Sequence, residues 1–217
     1  MTQGGLHAAF ALLVAWLNQI PVFGSSSINL KTTLRASAFL ALNLGFDSLK
    51  WKYTSVARKQ RIRNFIPHAA QERFLWVPVS LVSGIGEEIV FRAVLFGLLY
   101  GMTGHFWVAA IASAVFFALM HLAQGSLTNI VGLFFVALGL QWLVKISGGL
   151  YVAIAVHFLQ NLINGLVYGA LAKPVLDDGS PRCQAASSTE MAAAMQQSGS
   201  NCDWPTSPTQ NADPADH

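Results

Sequence analysis

Between Phe74 and Ala172 the chain runs for 99 residues with only four Asp, Glu, Lys or Arg side chains: Glu87, Glu88, Arg92 and Lys145. A folded domain in water cannot build its surface from such a stretch, whereas a helix crossing a membrane needs about 20 predominantly apolar residues in a row. Composition agrees, with 53% hydrophobic and 11% charged residues against roughly a quarter charged in soluble domains. The fold class implied is all-α, a polytopic transmembrane helical bundle. Too little polar chain is left for a separate catalytic domain, so any chemistry belongs inside the apolar region or at its rim.

Four apolar segments are strong, Phe74 to Tyr100, His105 to Leu122, Thr128 to Val144 and Gly149 to Leu171, separated by Gly-Met-Thr-Gly, Ala-Gln-Gly-Ser and Lys-Ile-Ser-Gly-Gly turns. Two are weaker: Leu6 to Phe23, broken by Asn18, Gln19 and Pro21, and Leu34 to Leu49, which is short and carries Asp47. About six helices are therefore expected, with a four-helix catalytic core. No Lys or Arg precedes the first segment, which reads as a retained anchor and not a cleaved signal. The domain organisation expected is 1–73, N-terminal membrane segments and a basic linker; 74–172, the intramembrane core; and 173–217, a disordered polar tail rich in Pro, Ser, Gln, Asp and Ala.

The formal charge is +3, and its placement matters more than its size. Lys50, Lys52, Arg58, Lys59, Arg61 and Arg63 crowd one linker, and short loops rich in Lys and Arg stay cytoplasmic. That puts both termini on the cytoplasmic side of an integral membrane protein of the cell membrane or an endomembrane, with Lys31, Arg35 and Lys145 opposite. The expected partner is the lipid bilayer; nucleic acid is not among the partners. Cys183 and Cys202, the two cysteines, both lie in the tail and imply neither a disulfide framework nor a thiolate metal site.

Left unpaired in hydrocarbon, Glu87, Glu88 and Arg92 would cost on the order of 8 to 10 kcal/mol, so they must be partnered, neutralised or turned to a wet cavity. At about 100° per residue Glu88 and Arg92 lie within roughly 40° on one face and Glu87 points elsewhere. Glu88 and Arg92 are thus read as compensating each other, with Glu87 available as a general base. A buried structural ion pair beside one protonated Glu is the plainer alternative. Further on, Phe117 lies one turn before His121, placed to wall a site or fix the imidazole, and His157 lies one turn before Asn161, placed to donate two hydrogen bonds to one developing oxyanion. Packing histidines are the plainer alternative here.

Taken in order, Glu87-Glu88-x-x-x-Arg92, Phe117-x-x-x-His121 and His157-x-x-x-Asn161 resemble the CPBP family of intramembrane proteases. That family groups the type II CAAX prenyl proteases with bacterial Abi homologues implicated in bacteriocin processing or self-immunity. The resemblance covers residues 74 to 171. It implies an intramembrane endopeptidase in which Glu87 and His121 activate the attacking water, His157 and Asn161 stabilise the tetrahedral oxyanion, and Glu88, Arg92 and Phe117 support them. The substrate implied is a membrane-associated peptide or protein, prenylated in the CAAX members, although 217 residues leave little beyond the core helices and put a prenylated tail in doubt.

No Ser or Cys of the apolar segments has a recognisable nucleophile motif; Ser83 in particular lacks an elbow context. There is no Gly-x-Gly-Asp and no His-Glu-x-x-His, which argues for a metal-independent glutamic mechanism and no cofactor. Zinc is the alternative, since Glu87, His121 and His157 also make a two-His, one-carboxylate set. Against the enzyme stands a non-enzymatic membrane immunity factor or proton-linked transporter subunit using the same buried groups. Asn161 discriminates: an oxyanion hole uses an amide beside His157, and a proton relay has little need of one.

Overall fold

A computed structural model of the chain describes residues 2–171 except 26, 64–65 and 123–126. The tail expected over 173–217, with its two cysteines, and the Ala-Gln-Gly-Ser turn lie outside the described residues. Among those described, the structure is helical: α1 (Thr2–Leu17), α2 (Leu30–Tyr53), α3 (Val56–Arg63), α4 (Ala70–Glu88), a π-helical segment (Ile89–Leu95), α5 (Phe96–Thr103), α6 (Phe106–Met120), α7 (Leu127–Ser147) and α8 (Tyr151–Leu171). Helix α4, the π segment and α5 form one 34-residue helix. Counting it once, each of the six apolar segments is a helix, and α3 is an addition inside the stretch read as linker.

Three of these helices, Ala70–Thr103, Leu127–Ser147 and Tyr151–Leu171, are long and apolar enough to cross a membrane. Helix α6 has 15 residues, roughly 22 Å at 1.5 Å per residue, short of the ~30 Å hydrocarbon core. Its packing is nevertheless that of a lipid-exposed helix. Ala109, Ala110, Ser113, Ala114 and Ala118 face inward with Phe117, while Trp107, Val108, Ile111, Val115, Phe116 and Leu119 face out. In water this arrangement would waste the large side chains; in lipid, which is as apolar as they are, small residues inside let backbones approach.

Local signals set the helix ends. Asn29 Oδ1 accepts from Thr32 N at 3.0 Å and starts α2, and Glu72 Oε2 accepts from the backbone N–H groups of His68 and Ala69 at 2.7 and 3.0 Å to cap α4. Gly148, at φ +79°, turns α7 into α8, a conformation open to glycine at no steric cost.

Helices α4 and α8 pack closely against each other. At Gly165 a side chain would meet the Trp76 indole, which lies across the glycine and donates from Nε1 to the Asn161 carbonyl at 3.1 Å. Near the end of α8, the His68 ring sits between the carbonyls of Gly169 (3.2 Å) and Arg63 (2.6 Å), so the start of α4 and the end of α8 share one side of the bundle. The other side carries the Gly24–Gly149 bridge and the Ser27 N–H bond to the Ser147 carbonyl at 2.7 Å.

Candidate active site

Glu87 and Glu88 close α4 where the helix changes register. Ile89–Leu95 is π-helical, so the 100° spacing that relates Glu88 to Arg92 in a regular helix does not hold there; single π turns are frequent at functional sites. Ser113 of α6 donates its hydroxyl to the Phe91 carbonyl at 2.7 Å within this turn.

Glu88 is fully buried. Its Oε1 accepts from His157 Nδ1–H at 2.7 Å and its Oε2 lies 3.3 Å from Arg92 Nε. One carboxylate therefore serves two partners on two helices, where the spacing analysis had assigned it Arg92 alone. The Arg92 guanidinium carbon sits 4.4 Å over the Phe117 ring, a cation–π contact made in a dry environment. Phe117 also touches Phe91 edge-on at 5.1 Å and His121 at 4.6 Å between centroids.

Glu87, 30% exposed at its side chain, lies on the open side of the same turn. Its Oε1 accepts from Ser83 Oγ at 2.7 Å, and its Oε2 stands 3.9 Å from His121 Nε2 and 3.7 Å from His157 Nε2. These separations are too long for direct hydrogen bonds and short enough for one small polar group to touch all three.

His121 is the first residue past α6, and its Nδ1–H donates to the Phe117 carbonyl at 2.8 Å, satisfying one of the acceptors that every helix end leaves open. A carbonyl only accepts, so Nδ1 carries a proton; Nε2 faces Glu87, and in the neutral ring it is the atom with the lone pair. His157 has Nδ1–H committed to Glu88, and donating from Nε2 as well takes the doubly protonated ring.

The structure brings Glu87, Glu88, Arg92, Phe117, His121 and His157 together. Asn161 is one turn beyond His157 on α8 and lines a cavity of about 970 Å³ bounded by residues of α2, α3, α4, α7 and α8. Residues of α2 and α3, outside the four later helices, help to line it. Asp47, read as a defect in a weak span, takes Asn164 Nδ2 at 2.8 Å and Lys50 Nζ at 3.1 Å. Sequence reasoning also passed over Ser83 as a partner for Glu87, though its i, i+4 spacing was a usable signal.

Tetrahedral zinc sets its ligand atoms roughly 3.3 Å apart. The 3.9 and 3.7 Å gaps at Glu87 Oε2 are wider, and among the described residues no group of three His, Cys, Asp or Glu is arranged to hold an ion. The donors as they stand do not fit zinc, and the chemistry is read from the side chains alone.

An apolar helical bundle with acid, imidazole and guanidinium groups gathered inside it belongs to the class of integral membrane proteins that carry polar chemistry within the bilayer. More specifically, residues 69–163 match the family model described as Type II CAAX prenyl endopeptidase Rce1-like, in keeping with the CPBP resemblance. The family supports intramembrane proteolysis as the general activity. No curated protein and no solved structure matches the chain.

Proposed function

We propose that the protein hydrolyses a peptide bond of a membrane-associated substrate by direct attack of a water molecule activated by Glu87 and His121. The observation that carries this reading is the convergence of Glu87 Oε2 on two imidazole Nε2 atoms at 3.9 and 3.7 Å. Glu87, held by Ser83, and the Nε2 lone pair of His121 are the acceptors for the water's proton. Oxygen adds to the scissile carbonyl, and the charge that develops there is met by His157 Nε2–H, backed by Glu88, and by the Asn161 amide. The proton taken from water then passes to the leaving amine. No covalent acyl intermediate is needed.

The family's name makes a prenylated CAAX-type peptide one substrate class to test. The same reading places both termini in the cytoplasm: Lys50, Lys52, Arg58, Lys59 and Arg63 lie at the end where α4 starts and α8 finishes, while Arg35 and Lys145 lie towards the α7–α8 turn. A tag in the Arg58 to Arg63 segment that stays protected from cytoplasmic protease would reverse the orientation.

Purified protein is to be incubated with a prenylated reporter and an unmodified membrane-peptide library, as wild type and Glu87→Gln, with and without a zinc chelator. Cleavage that needs Glu87 and ignores the chelator is expected. Chelator-sensitive cleavage restored by zinc would turn Glu87, His121 and His157 into metal ligands and overturn the mechanism. Folded wild-type protein that cleaves nothing would favour a binding role such as immunity.

A further inference from the structure

Two buried side-chain amide oxygens, those of Gln141 and Gln160, have no hydrogen-bond partner among the described residues; the hydrolysis described above uses neither, and of the two residues Gln160 lines the cavity. Gln160 is 8% exposed and lines the 970 Å³ cavity, yet its Oε1 has no hydrogen-bond partner among the described residues. Most buried side-chain amides are satisfied. The neighbouring polar groups are committed elsewhere: Asn43 Nδ2 donates to the Phe39 carbonyl at 2.7 Å, and Asp47 holds Asn164 and Lys50.

Gln160 belongs to a stripe. His157, Gln160, Asn161, Asn164 and Tyr168 fall within an arc of about 100° on α8, and the last four line the cavity. The stripe therefore starts at the imidazole facing Glu87 and continues as three uncharged amides into an otherwise largely apolar groove walled by Phe46, Val131 and Phe135.

We infer that this cavity is the cleft for the unwound segment of the substrate peptide, with Gln160 Oε1 accepting a hydrogen bond from one substrate backbone N–H close to the scissile bond. The inference rests on the protease reading and deepens it. Water reaches a peptide carbonyl only once the helix around it is opened, and opening a helix in an apolar medium strands its N–H and C=O groups. Side-chain amides both donate and accept, so a row of them replaces the lost bonds without regard to the substrate's side chains. A hydrocarbon or isoprenoid chain offers no donor and would leave Gln160 as unsatisfied as it is without a ligand. Gln160 is a positioning residue in this scheme.

The test is binding, which does not depend on turnover. Full-length protein in nanodiscs, wild type and Gln160→Met, is titrated with a fluorophore-labelled, unmodified Leu-Ala membrane peptide and with analogues in which one backbone amide at a time is replaced by an ester. Wild type is expected to bind one ester analogue about tenfold more weakly than the amide, the worth of one hydrogen bond, and Gln160→Met is expected not to distinguish the two. An ester penalty that persists in Gln160→Met, or no penalty at any position, would overturn the inference, as would folded wild type that binds no peptide. Displacement of the peptide by farnesol with equal potency in both proteins, with no ester effect, would make the cavity a hydrocarbon site instead. Gly132→Phe, which fills the same cavity away from Glu87, is expected to weaken the amide peptide at least tenfold and serves if Gln160→Met does not fold. Gln160-dependent binding without Glu87-dependent cleavage would keep the cleft and remove the hydrolase; Glu87-dependent cleavage without Gln160 dependence would do the reverse.

Discussion

Glu87 and Glu88 are adjacent in the chain, yet the protein treats them as different substances. Around Glu88 everything is closed: the carboxylate is fully buried, bonded to His157 at 2.7 Å and in contact with Arg92 at 3.3 Å. Around Glu87 the site is open, with 30% of the side chain exposed, one hydroxyl partner and two imidazoles held just beyond bonding distance. A closed charge cluster contributes alignment, because moving any member strands another in low dielectric. An open carboxylate contributes reactivity, since its second oxygen is free to take a proton. The helix places them about 100° apart on its last turn, and the π segment that follows returns Arg92 to Glu88.

This contrast is broken most severely by Glu88→Ala, which leaves Arg92 buried without its anion. A loss of about 3 to 5 kcal/mol is expected in reversible unfolding in mixed micelles, with activity lost alongside; unchanged stability would mean that Arg92 finds another partner. Next comes Glu87→Gln, for which hydrolysis should fall about 10³-fold while the unfolding midpoint stays at the wild-type value. If that midpoint dropped as far as in Glu88→Ala, the open and closed sides would not be distinct. His121→Phe keeps the ring's contact with Phe117 and removes the lone pair, and about 10²-fold loss in kcat with little change in KM is expected from steady-state rates. The smallest effect belongs to Ser83→Ala, where loss of one hydrogen bond to Glu87 should slow turnover by about tenfold or less; a rate equal to wild type would show that the hydroxyl does not orient the carboxylate.

Much of this was legible in the sequence, for identifiable reasons. The six apolar segments emerged as helices because length and hydropathy are local properties, and Glu87, Glu88, Arg92, His121 and His157 stood out because ionisable groups are costly where they lie. The link from Phe117 to His121 was visible as one-turn spacing. The π turn was not, since it inserts a register change that no period of 3.6 reports. Nor were the role of Asp47, answered by Asn164 from 117 residues away, or the helical state of the basic stretch at α3.

By itself, the sequence determined that this chain lives in a membrane as a helical bundle, which residues are too polar to be there idly, and which family it resembles. Each of those facts depends on composition or on neighbours one turn apart. Only the tertiary structure decided that Glu88 serves His157 across 69 residues, that both histidines turn Nε2 towards Glu87, and that Gln160 Oε1 has no partner among the described residues beside a cavity that α2 and α3 help to close. Helix periodicity specifies which side chains share a face. Which faces meet is settled by packing, where small residues such as Gly165 let two backbones come close enough for distant polar groups to find one another.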